Sequence, residues 1–235
     1  AILNKIDTRT KNKILKRYAL LLDKEKNSII SANQKDIKFA KKKGLKNNLI
    51  DRLTIDHKKL VGIKKSIEKI VKIKDPVDCI LEKWRRPNGL IISRVSVPIG
   101  VLGIIYESRP NVTSDVASLC FKSGNAVILK GGSEAINTNK ILANLFRKSL
   151  KENKVDQNFI QFINSKDRKI VDYMLSKMKD YIDVIIPRGG KSLVKRVQES
   201  STVPIIGHLE GLCHTYIDKD ADLKMAVDIV YNAKL

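Results

Sequence analysis

Apolar residues recur every three or four positions through the first 75 residues, and later give way to nearly continuous runs. Ile14, Leu15, Tyr18, Leu21 and Leu22 fall on one helical stripe, with Asp7 placed to cap its start. The same spacing predicts a second helix over 28–43, closed by Gly44, and one or two more over 51–73, with His57 on an exposed turn. Asp75-Pro76 then breaks the pattern, because a residue before proline is pushed out of the helical region.

From residue 79 the period changes. ILEKWRR and LIISRVSVP flank Pro-Asn-Gly at 87–89, which predicts a β-hairpin over 79–98. Beyond Gly100, apolar runs at 101–107, 126–131, 159–164, 183–188 and 203–208 read as strands, followed by HTYID at 214–218. Amphipathic stretches at 112–123, 134–152, 167–179, 191–200 and 220–233 read as helices. Continuous apolar strands alternating with helices predict an α/β fold, a Rossmann-type parallel sheet covered on both faces. The chain thus divides into a helical part (1–78), a projecting hairpin (79–98) and an alternating region (99–235).

Net charge is +21, from 46 Lys and Arg against 25 Asp and Glu. That invites a nucleic-acid reading, but aromatic residues are 5% and do not interleave with the basic ones as a base-stacking platform would. A solvated surface that steers small anions inward fits better. The longest apolar stretch, VSVPIGVLGIIY, is too short for a bilayer and carries Pro98. AILNKIDTRTKNK has no apolar signal core, and three scattered cysteines make no disulfide framework, so a reducing cytoplasmic setting is expected.

Two strands end alike: VILKGGSEA at 127–135 and IIPRGGKSLVKR at 185–196. Lys130 and Arg188 stand at strand ends, each followed by Gly-Gly, where a bare backbone can approach a phosphate. Ser133 and Ser192 are candidate caps for the following helices, leaving amides for a pyrophosphate. No G-x-G-x-x-G follows the first strand, so a dinucleotide site must be of another type. The run ESRPNVTSD places Arg109 and Asn111 to meet a carboxylate, phosphate or oxyanion, with Asn111 or Thr113 as the helix cap. His208, Cys213 and His214 are loosely spaced like ligands, yet no metal site is expected without further donors. Cys213 and His214 are neighbours on a predicted strand and so point apart, and Cys120 falls on an apolar helix face.

The segments 97–139 and 182–227, with SRPNVT, SGNAVILKGG and IPRGG in them, resemble γ-glutamyl phosphate reductase of the aldehyde dehydrogenase superfamily. NQKDIKFAKKKGL (33–45) and DRLTID (51–56) are similar to the helical start of the same family. The resemblance implies NADPH-dependent reduction of L-glutamyl 5-phosphate to glutamate 5-semialdehyde in proline synthesis by a homo-oligomer. A cysteine thiolate displaces phosphate to give a thioester, which hydride then reduces. It also implies that Lys130, Gly131 and Gly132 lie at the adenosine ribose and 2′-phosphate, and Arg188, Gly189, Gly190 and Lys191 at the pyrophosphate. The hairpin becomes an oligomerisation arm. Where hydrolytic relatives carry a glutamate base, the loosely aligned GHLEGLCH has His208 and, two residues on, Glu210. The family nucleophile is expected beyond Leu235, in a catalytic domain outside this sequence, so the chain alone is expected not to turn over. The alternative is a non-catalytic nucleotide-binding remnant or partner subunit.

Overall fold

Asp7 caps the first helix as its position requires, accepting the Thr10 amide at 2.6 Å. The structure is a computed structural model and describes residues 6–107, 109–207 and 213–234. Helix α1 (Thr8–Lys24) is separated by one residue from α2 (Lys26–Lys42), and Gly44, at φ +71°, turns the chain toward α3 (Asn47–Leu53). Asp56 accepts the Lys59 amide at 2.7 Å to start α4 (His57–Lys72), so His57 opens a helix and is exposed.

Strands β1 (Ile80–Arg85) and β2 (Ile91–Val95) form a separate antiparallel hairpin, turned at Gly89 (φ +85°). The parallel sheet comprises β3 (Val101–Tyr106), β4 (Ala126–Gly131), β5 (Ile160–Phe162) and β6 (Val184–Arg188), in the order β5-β4-β3-β6. Helices α5 (Asn111–Lys122), α6 (Ile136–Glu152), α7 (Lys169–Lys177) and α8 (Lys191–Ser200) connect or follow these strands, and α9 (Leu223–Lys234) comes last.

Strand alternation divides the core between the two sheet faces. Ile104, Tyr106, Val127 and Leu129 pack with Ile14, Tyr18, Ile67, Phe121 and Phe146. Ile105 and Ile128 point the other way, to Met174, Leu175 and Val197. Each such buried side chain contributes roughly 1.5–3 kcal/mol. Among the described residues no helix is long and apolar enough to cross a membrane.

Two sequence expectations are corrected at the far edge of the sheet. In its described part, 203–207, the run expected as a strand over 203–208 forms no strand and makes one bridge, Ile185 with Ile205. Pro204 accepts from the Ile185 amide at 2.8 Å but has no amide of its own to extend the ladder. No strand forms over 214–218, so the opposed-face argument for Cys213 and His214 lapses, although both are exposed. His208 and Glu210 lie outside the described residues.

Candidate functional site

In register, Tyr106 of β3 stands beside Gly131 on one side and Arg188 on the other. The two Gly-Gly turns therefore flank one strand end on one rim, where open parallel sheets bind ligands. A cleft of about 580 Å³ opens there, a size suited to a small molecule. Lys130, Gly131 and Gly132 line it, with Leu45, Leu49 and Leu193 as apolar wall and Lys166 and Arg168 adding charge.

Gly131 has a steric reason to be glycine. A Cβ there would lie 2.3 Å from Asn139 Nδ2 and 3.1 Å from the Tyr106 ring. Both neighbours are fixed by a buried chain: Tyr106 Oη and Thr113 Oγ1 are 2.6 Å apart, and Thr113 Oγ1 donates to Asn139 Oδ1 at 3.0 Å. Thr113 is thus a core link and not a helix cap. Lys130, only 5% exposed, donates to the Gly131 carbonyl at 3.0 Å, and an ammonium has further N–H groups to offer. Burial pushes its pKa below the ordinary lysine value, opposed by the Glu134 and Asp167 carboxylates.

The expected serine caps are not used. A 3₁₀ turn (Ser133–Ala135) precedes α6, whose first amides are taken by Asp36 of α2. Asp36 accepts from the amides of Asn137 and Thr138 at 3.2 and 2.8 Å, and from their side chains at 2.7 and 2.6 Å. At the other turn, Glu107 Oε2 accepts the Gly190 amide at 2.9 Å, and Ser192 sits inside α8. A Cβ on Gly189 would lie 2.6 Å from the same carboxylate. A protein carboxylate therefore stands at each helix start that the sequence reserved for a ligand anion. Arg188, Gly189, Gly190 and Lys191 form the rim beside the cleft, and Ser192 and Leu193 line it.

Arg109 and Asn111 lie apart from these residues, in a second cleft of about 420 Å³ between α3, α4 and the start of α5. Pro110 is the cap residue of α5, and the Asn111 side chain instead donates to Asp115 Oδ2 at 3.1 Å. Burial raises the Asp115 carboxyl above the ordinary carboxylate range, eased by the nearby Asn111 and Ser66 side chains. Sequence reasoning missed Asp36, Glu107, Lys166, Arg168 and Asp115. The signal for Asp115 was its i, i+4 spacing from Asn111; the others meet the site only in the fold.

The cysteines line neither cleft. Cys120 is buried, which pushes its thiol up to about 12, and Cys79 Sγ donates to the Asp75 carbonyl at 3.1 Å. Among the described residues, no group of three or more His, Cys, Asp or Glu is placed to hold a metal.

The sequence matches the model of the aldehyde dehydrogenase family over residues 2–235. The γ-glutamyl phosphate reductase of Persephonella marina is 46% identical over 233 residues, which is 99% of this chain and 52% of that protein. Its counterpart in Clostridium tetani is 48% identical over 232 residues, covering 99% and 54%. The crystal structure of γ-glutamyl phosphate reductase from Thermotoga maritima superposes with a TM-score of 0.93 at 42% identity, over 99% of this chain and 56% of that one. The chain spans about half the length of the curated relatives it matches.

Proposed function

Because the chain belongs to the aldehyde dehydrogenase family, we propose that it supplies the cofactor cleft and part of the substrate cleft for NADPH-dependent reduction of L-glutamyl 5-phosphate to the semialdehyde. The observation that carries this reading is the first cleft, where a buried lysine, a bare Gly-Gly backbone and an apolar wall face one space. Lys130 would hold the 2′-phosphate, the Gly131-Gly132 backbone would lie against the ribose, and Leu193 would pack on the adenine. The rim turn at 188–190 would receive the pyrophosphate once Glu107 releases the Gly190 amide. Bound there, the cofactor would supply the hydride.

In the second cleft, Asn111 keeps one N–H free of Asp115, since its amide has two and one is spent. That N–H would donate to the oxyanion that develops as the acyl carbon is attacked, while Arg109 would hold the departing phosphate. A thiolate nucleophile needs exposure and a lowered pKa. Cys120 is buried with its thiol raised, and Cys79 is half-buried with its Sγ donating to the Asp75 carbonyl; neither lines a cleft, so the nucleophile is assigned to neither of them. The hairpin, with Ile80, Leu81, Trp84 and Ile91 exposed, fits a subunit arm in a homo-oligomer.

The test is calorimetric titration with NADPH and NADH. Lys130→Ala should weaken NADPH binding by roughly ten- to a hundredfold, the worth of one charge-assisted hydrogen bond, and NADH binding far less. Equal losses for both cofactors would show that Lys130 does not read the 2′-phosphate.

A further inference from the structure

Asp115 presents an unsolved balance in the second cleft. Its Oδ2 accepts from Asn111, but Oδ1 is shut off from water and meets no hydrogen-bond donor among the described residues. The Ser66 hydroxyl is near enough to offset part of the rise in the carboxyl's pKa, but it does not meet hydrogen-bond geometry with Oδ1. A buried carboxylate oxygen left without a donor is costly, and such oxygens in native structures call for an explanation. The rest of the cleft has the opposite sign: Arg52, Lys59 and Arg109 line it together with Asp115. Lys59 gives two of its three N–H groups to the carbonyls of Asp51 and Thr54, which leaves the two arginines as the cleft's main anion-binding groups.

This pattern is selective. Two guanidinium groups suit a ligand with two anionic ends. One carboxylate wedged among cations, with an oxygen lacking a donor, suits a ligand that also carries a compact N–H cation. We propose that Asp115 receives the α-ammonium of the substrate, so that this cleft selects a free α-amino acid head over an unsubstituted diacid or an N-acylated one. The proposal rests on the second cleft being the substrate site. An ammonium has three donors, enough to bond the Asp115 carboxylate and the Ser66 hydroxyl together, and rotation about Cβ–Cγ presents either oxygen. Arg52 then takes the α-carboxylate, and Arg109, beside Asn111, is left for the γ-acyl phosphate.

The experiment is calorimetric titration of the chain with L-glutamate, glutarate and N-acetyl-L-glutamate as stable probes. The wild type should bind L-glutamate on the order of tenfold to a hundredfold more tightly than glutarate, the worth of one charge-assisted hydrogen bond. N-acetyl-L-glutamate should be no better than glutarate. Asp115→Asn should remove the preference by weakening L-glutamate, while glutarate binds at least as tightly as before because a like charge has left the cleft; retained glutarate binding also reports that the variant is folded. A preference that survives Asp115→Asn, or a wild type that binds glutarate as tightly as L-glutamate, overturns the assignment while leaving the cleft as a dicarboxylate site. Binding of none of the three overturns the substrate-site reading and the assignment with it. If Asp115→Asn does not fold, Ser66→Ala decides: it should reduce the preference several-fold, and an unchanged preference counts against the proposal.

Discussion

Replacing Asp36 with alanine removes a carboxylate that is 1% exposed and holds four donors at the start of α6. The four bonds do not count equally. Asn137 is exposed, so its side-chain amide recovers water when the carboxylate goes. Thr138 is fully buried, so its amide and hydroxyl do not. Loss of a helix cap alone costs about 0.5–2 kcal/mol, and each stranded buried donor about 1–3 kcal/mol. Relief of the carboxylate's own desolvation offsets part of this. The net loss should be about 3 kcal/mol, roughly a hundredfold in the folding equilibrium. Urea unfolding followed by circular dichroism measures it. Because α6 begins just after Gly131 and Gly132, NADPH affinity should fall as well, under conditions where the variant is still folded. A loss below about 1 kcal/mol would refute the reasoning, since α6 would then find its cap locally, at Ser133.

Glu107→Gln should tighten NADPH binding several-fold, because it removes a carboxylate that competes with phosphate for the Gly190 amide, and should leave 2′-AMP, which lacks the 5′-phosphate, unaffected. Weaker NADPH binding in calorimetry would instead make Glu107 a strut for the turn. Cys120, with its thiol pushed up to about 12, should resist a thiol reagent at pH 8, while exposed Cys213 reacts readily. Mass spectrometry of the labelled chain separates the two, and Cys120 labelled as fast as Cys213 would contradict the burial argument.

Much of the frame was legible because its signals are local. The apolar runs of β3, β4 and β6, the Asp7 cap, the Pro-Asn-Gly turn and the inward face of Cys120 each depend on residues within a turn or two. The Gly-Gly turns were also found, and the sheet order put them on one rim. What escaped is whatever the fold decides over long separations. Asp36 reaches its partners across more than 100 residues and Glu107 reaches Gly190 across 83, so Ser133 and Ser192 lost a role that local sequence favoured. The described part of the run at 203–208, residues 203–207, misled because its apolar content matches a strand, whereas pairing also needs amides that Pro204 lacks. The division into two clefts, with Arg109 and Asn111 apart from Lys130, follows from the packing of α3 and α4 beside α5.

The central claim is that the rim cleft holds an adenosine 2′-phosphate, and the most direct test is a crystal structure of the chain with 2′,5′-ADP. The account predicts the 2′-phosphate within hydrogen-bond distance of Lys130 Nζ, the ribose over the Gly131-Gly132 turn and the adenine against Leu193. A nucleotide ordered elsewhere on the sheet rim, or one with its 2′-phosphate turned to solvent away from Lys130, would contradict it.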